Sequence, residues 1–424
     1  MYGNQYIGHP LTMNKYLPVA VLYFFFNSFM LPHGLLYTTI LTPLFLIWLL
    51  RYPSFHYLFY FFLFTVPFAV IHFEQGVNTE FYLKSYALFF TWFVFGVAFY
   101  QFLKNCNTLR SIFRLLVLIN FVFLIIACVA FFSTSLRDSF WLTTFVSRKL
   151  DQFPRLMMLT YEPSYYSTLL APIAIYYYLK MIMRQLPGWQ LYAIMISVPL
   201  VLSFSLGILL GIPIAFLFLF LFRLPRLMRN IKYQYIIFGS VALLAVGFIL
   251  VFFLYPNNPL FVRISNLFTG HDSSFRGRTV EAYYLASKVA EQKSMIVGAG
   301  LGQTKLLGLE LWRTFYKFNF SIDQVAIPCV MAETLAVFGI VGVIARLGIE
   351  VFLFFKTKVY NNYYRFVLFV FIFIYQFTGS YLNNIAELAI WVLAFTNTFE
   401  EFDRKKMKGA YGQSAAGFNN NNRI

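Results

Sequence analysis

The sequence predicts an all-α integral membrane protein of about twelve transmembrane helices, and three observations predict it. Of its 424 residues, 60% are hydrophobic and only 12% are charged, whereas a soluble globular chain carries about 25% charged residues. Apolar runs such as "LAVGFILVFFLY" and "IPIAFLFLFLF" recur along the whole length. The basic residues between those runs fall on one side of a single threading.

A bilayer core about 30 Å thick needs roughly 20 helical residues to cross it. Apolar runs lie at 15–31, 34–50, 55–72, 81–103, 111–133, 163–183, 189–206, 207–223, 234–254, 326–355, 363–380 and 385–399. The first lacks a convincing cleavage site, so it is expected to stay as a span. The tenth is too long to cross straight. It is tilted or begins with a segment at the membrane surface, with Pro328 a candidate for the break.

With twelve spans and a cytoplasmic N-terminus, the basic connections all fall inside: Arg51; Lys104 and Arg110; Lys180 and Arg184; Arg223, Arg226, Arg229 and Lys232; Lys356, Lys358 and Arg365. The C-terminal Arg404, Lys405, Lys406 and Lys408 join them, and the turns "LPHG" and "GSYLNN" fall outside uncharged. The membrane domain is thus expected over 1–408, with two long outer loops at about 134–160 and 256–325. The low-complexity 409–424 is expected to be a disordered cytoplasmic tail.

The net charge of +17 is largely topogenic by this reading. Nucleic acid is an unsuitable partner because no basic soluble domain exists to present to it. Cys106, Cys128, Cys329 and the five histidines are dispersed without metal-ligand spacing, so neither a metal nor another cofactor is expected.

The second outer loop contains Arg263, Arg276 and Arg278, on the side where topology does not call for cations. "SSFRGRT" precedes an expected helix from Thr279 to Lys293, with Thr279 as N-cap. Free N–H groups at that helix start, beside two guanidiniums, would suit phosphate or pyrophosphate oxygens. The same arginines could instead pair with Asp272, Glu281 or lipid headgroups. "GAGLG" (298–302) follows a helix and not a strand, so a dinucleotide site is rejected in favour of a tight turn.

Glu162 and Pro163 stand where the first outer loop meets the sixth span. A carboxylate there either caps the helix or faces a shared cavity as a base or an arginine partner. Asp323 ends the large loop. Glu333 and Glu387 lie in apolar helices, where an ionisable group is costly; Glu387 has no assignable role. Arg346 and Glu350, four apart, could neutralise one another. Gly339 and Gly342 would let a second helix pack closely.

These pieces together resemble the O-antigen polymerase and ligase superfamily of bacterial inner-membrane glycosyltransferases. "YEPSYYS" resembles its Glu-Pro-Ser element. "FRGRT", a loop helix, "VGAGLGQ" and "AETLAVFGIVG" resemble its succession of arginine, Gly-x-Gly and Glu-to-Gly-x-x-Gly. The resemblance implies a GT-C-like architecture with a large extracytoplasmic loop between helices 9 and 10. It implies transfer of glycan from undecaprenyl pyrophosphate to an acceptor hydroxyl on the outer face. Arg276 and Arg278 would hold the pyrophosphate and stabilise it as it leaves, without a metal. A carboxylate would take the acceptor proton: Glu162 first, then Asp323, then Glu333. The implied partners are the lipid-linked oligosaccharide and the bilayer, with a chain-length regulator and a flippase as further candidates.

Two departures matter. The ligases carry a histidine late in the large loop, where this chain has Ser321, Ile322, Asp323 and Gln324, and His271 lies well upstream; polymerase is therefore favoured over ligase. Leu206 stands at the family's Ser-Arg-Gly arginine position, leaving Arg155 or Arg263 as substitutes. The competing classes are a flippase or exporter, which should carry its charges among the spans, and a non-catalytic assembly partner, which would tolerate loss of Arg276 and Arg278.

Overall fold

The computed structural model describes residues 16–31, 35–144, 153–227 and 257–404. The ninth expected span (234–254) and the tail at 409–424 lie outside the described residues. The chain is mostly helical, as an all-α membrane protein should be. Among the described residues, five helices, Pro53–Glu74, Thr79–Asn105, Leu109–Ala130, Leu206–Arg223 and Val330–Lys356, are long and apolar enough to cross a membrane.

Each apolar run among the described residues becomes helix, though not always one helix. α1 (Leu17–Phe25) takes the first run. The second divides into α2 (Tyr37–Ile40) and α3 (Thr42–Leu49), because Pro43 has no N–H to continue the ladder. α4 (Leu58–Glu74) follows a 3₁₀ turn that starts at Pro53. α5 (Thr79–Asn105) starts where the Asn78 side chain accepts the Phe81 N–H at 3.2 Å, and α6 (Leu109–Ala130) follows.

The first expected outer loop folds into α7 (Thr134–Phe140) and an antiparallel ribbon of β1 (Trp141–Thr144) and β2 (Phe153–Leu156), with Trp141 opposite Leu156. α8 (Pro163–Ile182), α9 (Trp189–Ser203) and α10 (Leu206–Leu227) come next. The second loop holds α11 (Pro259–Phe268), α12 (Ser273–Arg278), α13 (Val280–Glu291) and α14 (Gln303–Tyr316). The chain then forms α15 (Val330–Lys356), α16 (Tyr363–Tyr375) and α17 (Ile385–Phe395).

α8 is buried along almost its whole length and packs against α9, α10, α16 and α17. Tyr166, Leu170, Ile175, Tyr364 and Phe371 are fully buried in this core. In lipid such packing stabilises through close dispersion contact, since leaving lipid tails gains no transfer energy. The central position of α8 sets Glu162, its N-terminal neighbour, at the middle of one end of the bundle.

The break expected near Pro328 falls elsewhere. α15 is helical from Val330, and its backbone breaks at Gly339, where φ is 64° and ψ is −164°. The break frees two carbonyls and two N–H groups, which could not stay unpaired in an apolar bundle. The glycine segment of the large loop supplies the partners. Ala299 N and Gly300 N donate to the Ala336 and Val337 carbonyls at 2.9 and 3.0 Å. Ile340 N and Val341 N donate to the Met295 and Ile296 carbonyls at 3.1 and 3.0 Å. Gly298 and Gly339 cross at this point. A Cβ on either would stand 2.3 Å from a backbone oxygen of the other strand. "GAGLG" is therefore an extended splint for a broken helix as well as a turn. Gly339 receives that splint and not a neighbouring helix.

At the opposite end from Glu162, the basic connections converge. Arg110 and Lys180 both reach Glu401, at 2.6 and 3.3 Å. Arg223 stacks on Tyr363, and Arg404 on Phe222.

Candidate functional site

Glu162 occupies the N-cap position of α8, but its side chain makes no capping bond. The carboxylate turns into the bundle instead. It accepts Arg278 at 2.8 Å, across 116 positions of sequence, and the Ser164 hydroxyl. Pro163 suits this turn, because its fixed φ favours a helix start and it has no N–H to satisfy.

Arg278 is delivered by α12, whose N-cap Asp272 accepts the Phe275 N–H at 2.7 Å. The expected helix from Thr279 is thus two helices. Thr279 joins them without a capping side chain, its hydroxyl donating to the Phe275 carbonyl. Arg276 and Arg278 lie in the last turn of α12, the helix end that favours cations. They are two residues apart, so they point to different faces. Arg276 pairs with Glu281 at 2.8 Å and is 54% exposed, while Arg278 is turned inward and 23% exposed. The expected clamp of Arg276 with Arg278 is not formed.

Two other arginines act on the site electrostatically. Arg155, on β2, donates to the Ser203 carbonyl at 3.1 Å. Arg263, on α11, pairs with the buried Asp272 at 3.0 Å and donates to the Phe204 carbonyl at 2.6 Å. Both therefore hold the α9–α10 junction beside Leu206, where the sequence left a missing arginine to be replaced. Arg155, Arg263 and Arg278 act electrostatically on one another, with Glu162 and Asp272 among them. Three guanidiniums against two carboxylates leave one positive charge in excess.

The electrostatics follow from this crowding. Burial, the neighbouring Arg263 and Arg278 push Arg155 down to about 10, although Glu162 and Asp272 oppose them. Burial pushes the Glu162 carboxyl up, but Arg278, the Ser164 hydroxyl and Arg155 outweigh it and hold it below the ordinary carboxylate value. An anion entering between Arg155 and Arg278 would relieve the cations and compete directly with Glu162.

A small cavity lies against this pair, lined among others by Tyr161, Ser164, Tyr165, Tyr375, Ser380 and Tyr381. Its volume of about 10 Å³ holds roughly one water. Tyr165 is fixed by the Asn27 amide, which donates to its hydroxyl at 2.9 Å. Glu162 and Arg278 both line this cavity, and a pyrophosphate is larger than the space it offers.

Of the other carboxylates, Asp323 is 89% exposed and pairs with Lys305 at 3.6 Å, away from the cavity. Glu333 accepts the Leu382 N–H at 2.6 Å and so anchors the 376–384 connection; it does not line the cavity. Ser164, Tyr161 and Tyr165 were within reach of the sequence, in "YEPSYYS". Ser380 and Tyr381 were not, because "GSYLNN" reads only as an uncharged turn. Among the described residues no group of three His, Cys, Asp or Glu side chains is placed to hold a metal ion. Compared with known proteins, the chain matches no family model and no curated sequence.

Proposed function

We propose that this protein is a polysaccharide polymerase that transfers a lipid-linked glycan from undecaprenyl pyrophosphate to an acceptor sugar hydroxyl. The observation that carries the reading is the Glu162–Arg278 pair, with Arg155 beside it, at the end of the bundle that bears both long loops. We place this end at the outer face of a bacterial inner membrane and both termini in the cytoplasm. The gathering of basic connections at the opposite end supports that orientation.

On this reading the pyrophosphate displaces Glu162 from Arg278 and takes both Arg278 and Arg155. The bond from the sugar C1 to the pyrophosphate oxygen breaks, and the acceptor oxygen bonds to C1. The guanidiniums hold the charge that develops on the leaving group. Glu162, freed from its cation and still buried, becomes more basic and accepts the acceptor proton. The resting pair is then a masked base that the substrate itself unmasks. The test is elongation of a defined lipid-pyrophosphate oligosaccharide by the purified protein. Wild type should build long polymer and Arg278→Ala none; equal product lengths from the two would sink the proposal.

A transport reading is favoured by one observation. Arg346, Glu350 and Glu387 form a charged cluster within the helices, as a carrier of lipid-linked sugars would need. Glycan lengthening by the purified protein separates the two, since a carrier leaves its cargo unchanged.

A further inference from the structure

The cluster between α15, α16 and α17 has no part in the transfer proposed above. Arg346 Nε donates to Glu350 Oε1 at 3.1 Å and to Gln376 Oε1 at 3.0 Å. Its terminal nitrogen donates to Glu387 Oε1 at 2.7 Å. Gln376 donates onward to Glu350 Oε2 at 2.8 Å, and Trp391 Nε1 to Glu387 Oε1 at 3.3 Å. Glu350, Gln376 and Glu387 are all buried. Glu333, on α15, feels both Arg346 and Glu387. Two carboxylates thus share one guanidinium directly, and a third lies within its electrostatic reach. Fully ionised, they leave two uncompensated negative charges inside an apolar bundle, an expensive arrangement.

A second observation concerns the hydrogen bonds themselves. Glu387 Oε2 is buried without a partner, and so is the hydroxyl of Ser380. The two stand close to one another, so the hydroxyl can turn its O–H to the ionised carboxylate or accept an O–H from the protonated one. Ser380 is also held at a left-handed φ of 72°, a conformation a non-glycine residue adopts only under constraint. The same residue lines the cavity beside Glu162 and Arg278.

We propose that Glu387 is a proton-binding site that exchanges with the cavity through Ser380. A hydronium ion from the cavity gives up its proton, water remains, and an O–H bond forms on Glu387 Oε2. That O–H donates to the Ser380 hydroxyl oxygen. One excess negative charge disappears. The groups facing Glu387 are Glu333, Arg346 and Glu350 of α15, Cys329 just before it, Tyr375 at the end of α16, and Trp391 of α17 itself. From α5, which also packs on α17, Trp92 and Gly96 reach this region. A small metal cation would answer the same charge imbalance. Among the described residues, however, no three His, Cys, Asp or Glu side chains are placed to hold one.

Infrared spectroscopy of the protein in lipid nanodiscs tests this without any glycan substrate, so its outcome is independent of the polymerase reading. Wild type at neutral pH should show the C=O stretch of a protonated carboxyl, shifted by deuterium oxide. Glu387→Gln should lose that component, and Glu350→Gln should keep it. Ser380→Ala should keep it but slow its deuterium exchange several-fold. The proposal is overturned if wild type lacks the band, or if the band survives in Glu387→Gln. It is equally overturned if the band emerges only when sodium is replaced by a bulky organic cation. The wild-type spectrum alone decides the first and last outcomes should a variant fail to fold.

Discussion

Two charged clusters among the described residues differ in the sign of what is left over. Beside the cavity, Arg155, Arg263 and Arg278 face Glu162 and Asp272, so one positive charge is in excess. Within the helices, Arg346 faces Glu333, Glu350 and Glu387, so two negative charges are in excess. The first place suits an anion that can exchange with Glu162; the second suits a proton. A salt bridge counted singly would make the two look alike, and only the local sum separates them.

The sharpest way to break the cavity side is Arg278→Ala. It removes the exchangeable cation and strands Glu162, and polymer synthesis should fall by about 10²-fold or more. Glu162→Gln keeps the shape and removes the charge; elongation should fall by about 10²-fold while the protein still inserts. The third effect is on stability. Because Glu162 is held below its ordinary value, its pair with Arg278 stabilises the fold above the ordinary carboxylate range. That contribution is lost as the pH falls through the lowered value. The thermal midpoint of wild type should exceed that of Glu162→Gln near neutrality, and the gap should close in acid. The smallest effect belongs to Arg276→Ala, whose half-exposed pair with Glu281 is worth about 1 kcal/mol, with polymer length near wild type. A loss as large as that of Arg278→Ala would restore the clamp that the geometry dissolves.

That last contrast shows where the sequence stops being legible. "FRGRT" read as loop suggests two arginines acting together; wound into α12, residues two apart diverge. The apolar helices were plain from their hydrophobic runs, and Glu162 from its place at the start of α8. Arg155 and Arg263 were named only as substitutes, because their convergence on Ser203 and Phe204 depends on how β2 and α11 fold back on the bundle. Glu387 was visible as a costly residue without a role, since its partners come from α15 and from the turn after α16. Gly339 looked like a packing glycine; its partner strand lies some forty positions upstream and no local pattern points to it.

The crossing of Gly298 and Gly339 has a mechanical consequence. Four hydrogen bonds weld the large loop to the severed middle of α15. The loop therefore cannot swing as a free flap over the cavity. Any tug on the segment before α14 is felt as bending of α15, the helix that also carries Arg346.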